Sequence, residues 1–287
     1  MKSPFADSAP PIGQGFTIPA RGGIRHRRAM TNEPFFSRDG EHYIPNRVSA
    51  GPWNPDALHG RVVIGLLAHA IETSFGGPDY VAARLTVDMY RLPDFSPMTL
   101  ETRAVRDGYR IKVVDAEVFS GGVSAGRATC QLLRRTENPA GRVWTPPTWD
   151  APLPQDVPPQ PDNNLSLNGM WTIRPVVGTM GTIGKRQAWM AEVRELIGGA
   201  PLTPLTRVAL AADFASPFAN AGDAGLGYIN SDVTLYQHRE MVGEWVGFEV
   251  VNHGATDGVG IGECWMYDTA GPLGVVTVCA LAQKRMV

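Results

Sequence analysis

The sequence predicts an α+β protein built twice over, each half a long helix followed by a curved antiparallel sheet that wraps around it. Three observations carry this expectation. An apolar stripe at helical spacing is followed by several alternating segments; the same order recurs after a proline-rich break; and 287 residues exceed the usual size of one domain.

In the first half, Leu58, Val62, Val63, Leu66, Leu67, Ala70 and Ile71 recur every three or four residues, as one buried face of a helix requires. Asn54-Pro55-Asp56 reads as the opening of this helix, with Asn54 as cap and Pro55 at its first position, and Gly76-Gly77 ends it. Alternating stretches follow at 84–91, 99–106, 109–119 and 124–134, with Asp107-Gly108 and Gly121-Gly122 between the later pairs, where tight hairpins favour such residues. The second half repeats the plan. Thr203-Pro204 opens a helix through Asp213 that ends near Pro217, and strands are expected at 228–239, 244–251, 259–267 and 274–283. Leu85-Thr-Val-Asp-Met-Tyr-Arg91 aligns with Val233-Thr-Leu-Tyr-Gln-His-Arg239. The expected boundaries are an N-terminal arm over 1–31, a first domain over 32–136, a linker over 137–165 whose prolines deny ladder hydrogen bonds, and a second domain over 166–287.

Composition narrows the function. Apolar residues at 43% and charged residues at 19% are ordinary for a globular chain, and a net charge of −2 supplies no basic field for nucleic acid. Apolar runs such as Val62 to Ala68 fall far short of the roughly 18 residues that span a bilayer, and no apolar leader opens the chain, so a cytoplasmic protein with no membrane span is expected. Cys130, Cys264 and Cys279 are odd in number and lie in apparent strands, which fits free thiols better than disulfides. Neither they nor the six histidines show metal-site spacing, and no cofactor is expected. The cluster Arg25-His26-Arg27-Arg28 reads as a solvated tail or a phosphate contact.

With the duplication established, further motifs carry a family resemblance. They are Gly51-Pro-Trp-Asn-Pro55 with Leu58-His59-Gly60, Arg106-Asp-Gly-Tyr-Arg110, Ala212-Asp213-Phe214, the run from Tyr228 to Arg239, Gly243-Glu-Trp245, and Asp257-Gly-Val-Gly-Ile-Gly-Glu263. In these the chain resembles the acyl-CoA thioesterases of the thioesterase II type, from about Pro34 to Arg285. The resemblance implies a double hot-dog fold and hydrolysis of an acyl-CoA or acyl-carrier thioester. It also implies a water held by an aspartate on the second-half helix, a hydroxyl or amide residue on the next strand, and a glutamine on the last strand. Asp213 and Asn230 take the first two positions. Val278 or Cys279 stands where the glutamine belongs, and Gly60-Arg61 replaces a glycine pair beside the acyl entrance.

The chemistry agrees with this assignment. Thioester hydrolysis needs a carboxylate that orients or deprotonates water, and donors for the oxyanion. Asp213 suits the first role; its alternative is an ion pair with Arg207 or a cap. His59 and the amides of Gly60 and Arg61 suit the second where the helix starts near Gly60 after a short turn at 54–57, as the resemblance implies, rather than at Pro55; a lone histidine is otherwise more often a packing residue. Asn230 reads either as a catalytic partner or as a strand-edge hydrogen bond, and Cys279 as a buried apolar residue or a nucleophile. Two other functions stay open: an acyl-thioester hydratase or dehydratase, which needs a histidine facing a carboxylate across the two halves, and a non-catalytic acyl-thioester-binding module. Curved sheets with apolar outer positions predict a homodimer or higher oligomer, with the tryptophan-bearing second sheet as the contact.

Overall fold

A computed structural model describes residues 33–159 and 171–283. The N-terminal arm with its Arg25–Arg28 cluster, residues 160–165 of the expected linker and the last four residues lie outside the described residues. Each half has the same plan. In the first, a hairpin of β1 (Phe36–Asp39) and β2 (His42–Pro45) precedes α1 (Gly60–Phe75), then β3 (Tyr80–Met89), β4 (Met98–Asp107), β5 (Ile111–Ser120) and β6 (Val123–Arg134). In the second, the hairpin of β7 (Trp171–Val177) and β8 (Gln187–Glu192) precedes α2 (Pro204–Ala212) and α3 (Ala215–Asn220). A minor ribbon of β9 (Ala221–Gly222) and β10 (Gly225–Leu226) follows, and then β11 (Tyr228–Asn230), β12 (Asp232–Gln237), β13 (Trp245–Thr256), β14 (Val259–Asp268) and β15 (Gly271–Ala282).

The expectation of two separate sheets is corrected. One antiparallel sheet runs β1-β2-β4-β5-β6-β3-β12-β15-β14-β13-β8-β7, with β11 added on β15. Its seam is the pairing of β3 with β12, where Thr86 lies opposite Thr234 and the two hydroxyls meet at 3.3 Å. The register on either side repeats at a fixed shift. Thr86 faces Thr129 and Thr234 faces Thr277; Asp115 faces Thr129 and Glu263 faces Thr277. Each such pair maps onto its counterpart by adding 148, as 86 to 234 and 129 to 277 show. Since Thr86 also pairs with Thr234, the seam is the local two-fold between the halves.

Only the first half carries a long helix. All seven stripe residues predicted for α1 are buried, and α1 packs on β3, β4, β5 and β6. The second helix is interrupted because Pro217 has no N–H to give the Asp213 carbonyl four residues earlier, as a continuous helix would require. Ser216 N–H takes that carbonyl instead at 3.1 Å, α2 stops at Ala212, and Asp213 sits at the joint.

The proline-rich segment after β6 is more than a spacer. Trp149 stacks on Tyr267 with ring centroids 4.5 Å apart and meets the Trp189 ring edge-on at 5.0 Å. The Pro152 carbonyl accepts from Trp189 Nε1 at 2.9 Å, and Arg174 holds the carbonyls of Pro154 and Val157. The strap thus occupies part of the tryptophan-bearing outer face that was expected to meet another chain. Gly247 lies beneath it, where any Cβ would come within 2.4 Å of the Trp149 ring. Trp149→Ala is expected to cost about 2 kcal/mol of unfolding free energy by removing this half-buried ring, measured by chemical denaturation with tryptophan fluorescence.

Candidate active site

His59 caps the start of α1, Asp213 stands at the α2–α3 joint and Asn230 ends β11, so three elements from both halves meet at the seam. His59 Nδ1 lies 3.2 Å from Asp213 Oδ2, and Asn230 Nδ2 donates to Asp213 Oδ1 at 2.9 Å. Asp213 as a residue is 5% exposed. Burial alone would push its pKa up, but the His59 ring, the Asn230 amide and the Arg61 guanidinium outweigh burial and hold it below the ordinary aspartate value. Asp213 is therefore an ionised acceptor with both oxygens engaged.

Two contacts compete for the same ring atom of His59. Arg61 N–H points at Nδ1 from 3.2 Å as the helix cap, while Asp213 Oδ2 is equally close. A ring nitrogen cannot accept from one and donate to the other at once. The charge-assisted bond to an ionised carboxylate is the stronger of the two, which puts the proton on Nδ1 and the lone pair on Nε2. Among the described residues Nε2 has no hydrogen-bond partner. Trp171 meets the ring edge-on at 5.6 Å and fixes its plane.

A cavity of about 250 Å³ opens onto this group. His59, Gly60, Asp213 and Asn230 form its polar end, Val63, Met89 and Ile229 its apolar wall, and Trp53, Tyr90, Leu92 and Leu281 its exposed rim. There is little room beside Gly60: a Cβ would lie 3.0 Å from Met89 Sδ, which would have to shift by a few tenths of an ångström, and in ordinary contact with Asp213 Oδ2 at 3.5 Å. As the first residue of α1, Gly60 also has an N–H that no carbonyl within the helix can reach.

The other expected substrate contacts lie elsewhere. Arg61 is fully buried and pairs with Glu192 at 2.6 Å, so it does not narrow the entrance. Val278 points into the core because strand residues alternate, and Cys279 emerges on the outside, where its N–H meets Asp232. The residue of β15 that reaches the cavity is Leu281. Cys130 and Cys264 are buried, and burial pushes the Cys130 thiol up to about 12. Arg207 approaches Glu244 rather than Asp213. Among the described residues no group of three or more His, Cys, Asp or Glu is placed to hold a metal, and no helix is long and apolar enough to cross a membrane.

Sequence comparison identifies the group to which this architecture belongs. The profile of the acyl-CoA thioesterase N-terminal domain matches residues 49–133, and that of the acyl-CoA thioesterase C-terminal domain matches residues 147–278. The chain belongs to the acyl-CoA thioesterase domain family. Among solved structures it is similar to the tesB protein of Mycobacterium avium subs. paratuberculosis, with a TM-score of 0.64 and 14% identity over 87% of this chain and 96% of that one. It is similar to the acyl-CoA thioesterase II TesB2 of Mycobacterium marinum, with a TM-score of 0.61 and 15% identity over 86% and 95%. A hot-dog-fold protein of Alicyclobacillus acidocaldarius gives 0.65 and 16% over 92% and 100%. At these identities the likeness is one of fold, which is thereby a thioesterase II-like double hot-dog. None of the curated proteins matches the sequence.

Proposed function

We propose that this protein hydrolyses a short-chain acyl-CoA or related acyl thioester to free acid and thiol, with His59 as general base and Asp213 as its partner. The observation that carries this reading is the His59–Asp213 contact at the inner end of the cavity. Asp213 keeps the proton on Nδ1, so Nε2 takes a proton from water as the oxygen attacks the thioester carbonyl. The new oxyanion is stabilised by the Gly60 N–H at the positive end of α1. Collapse breaks the C–S bond, and the departing sulfur receives the proton held on Nε2. Asn230 fixes the second oxygen of Asp213. This arrangement works without the glutamine that family resemblance places at Val278 or Cys279.

About 250 Å³ is below the ~300–1,000 Å³ of most small-molecule sites. At roughly 30 Å³ per water-sized group, it holds about eight heavy atoms, enough for a short acyl group and its thioester. The carrier arm lies over the Trp53, Tyr90 and Leu92 rim. The test is thiol release from acyl-CoAs of graded length, with short chains turned over fastest. Absence of release from every member would overturn the reading. The histidine–carboxylate contact across the halves is also what a hydratase needs, so reversible water addition to an α,β-unsaturated acyl thioester without thiol release would select that activity instead.

A further inference from the structure

We infer that Arg61 is a positioning residue, which with Glu192 forms a buried ion pair behind the reacting pair, joined to it through Trp171. The inference rests on the reading above, in which His59 and Asp213 work together. Arg61 stands in the first turn of α1, where the helix dipole disfavours a cation, and it is wholly out of solvent, where a guanidinium is costly. Its surroundings are built to receive it. Nη1 pairs with Glu192 of β8, and the guanidinium carbon lies 4.2 Å from the Trp171 ring centroid and 4.7 Å from that of Phe35. Trp171 in turn meets both His59 and Phe214, each at 5.6 Å, and Phe214 follows Asp213 in the chain.

Arg61 is thus tied to Trp171, the ring that sets the His59 plane, and through Glu192 to β8. The charged or titratable groups around Asp213 are His59 and Arg61 from α1, with Glu192 from β8 behind Arg61. Arg194 acts on Arg61 and Arg207 on Glu192. Burial lowers Arg61 to about 10, against the pull of Glu192 and Asp213, so it stays cationic at neutral pH. Its charge favours an ionised Asp213, and an ionised Asp213 keeps the His59 proton on Nδ1.

The experiment compares the full chain with R61M/E192L and R61Q/E192Q. Both remove the two charges together, because replacing a whole buried pair is tolerated where breaking it is not. The Asp213 carboxyl is followed by 13C NMR titration, assigned by difference with D213N, and the acid limb of thiol release is measured in parallel. In either folded variant both should move up, and R61K, which keeps a cation there, should return them toward wild type. A carboxyl titration unmoved in a folded charge-free variant overturns the inference, since a purely structural role would lower activity at every pH without shifting it. A shifted titration in a protein that releases no thiol from any substrate supports Arg61 as inferred and removes the hydrolase reading instead.

Discussion

Asp213→Asn is expected to lower the initial rate of thiol release by about two to four decades in a protein that stays folded. Asparagine keeps the shape and still accepts from Asn230, but it presents an amide toward His59. The ring then accepts at Nδ1 and carries its proton on Nε2, the tautomer that cannot take a proton from water. Circular dichroism should match wild type, and a rate near wild type would remove Asp213 from the mechanism. Asn230→Ala should cost less, because it removes one of the donors to Asp213, and Cys279→Ala least, because that thiol lies outside the cavity. The pH dependence has a definite sign. The folded carboxyl titrates below its unfolded value, so its contribution to stability is present above the ordinary aspartate range and is lost as pH falls through the folded pKa. Urea midpoints of wild type should therefore drop more steeply in acid than those of D213N.

His59→Asn is expected to produce a loss of similar size, about two to four decades. Asparagine is among the best residues at a helix start, and its side-chain oxygen can accept from the N–H groups of the first turn of α1 while the imidazole is gone. That choice separates catalysis from folding. In the same variant the Asp213 carboxyl loses its ring donor and should titrate closer to an ordinary aspartate, measurable by carboxyl NMR whether or not any substrate is turned over. Normal thiol release by H59N would leave Asp213 as the base acting directly on water.

The helix of the first half was legible because its stripe is long, uninterrupted and buried on one face. The second was misjudged in its extent because Pro217 reads as an end signal, whereas it breaks the helix one turn earlier at Asp213. The leading hairpins were invisible for a different reason. Strands of four to seven residues give too few alternations to register, and β8 is buried at every position, including its terminal Glu192. Asp213, Asn230 and His59 could be named from motif positions, yet their contact depends on a seam that no local pattern describes. Arg61 was placed beside the entrance by its position in the family motif, which says nothing of where a side chain in place of a glycine points. Its partner is 131 residues away, a distance at which sequence carries no pairing signal. The strap was read as a spacer because proline content reports the absence of ladder bonds and says nothing about an aromatic ring finding a surface.

The seam also orders events during folding. Its partners Thr86 and Thr234 are 148 residues apart in the chain (234 minus 86), whereas the flanking pairs, Thr86 with Thr129 and Thr234 with Thr277, are each 43 apart (129 minus 86 and 277 minus 234). Closing so long a loop carries an entropic cost that is recovered only when the strands pair, so β3 and β12 should join late, after each meander has formed. His59 and Asp213 belong to opposite sides of that junction, and neither half alone contains both. A ribosome-bound chain that has finished only its first half therefore carries an imidazole with no carboxylate beside it, and the reaction centre is complete only once the second half has been made and the seam has paired.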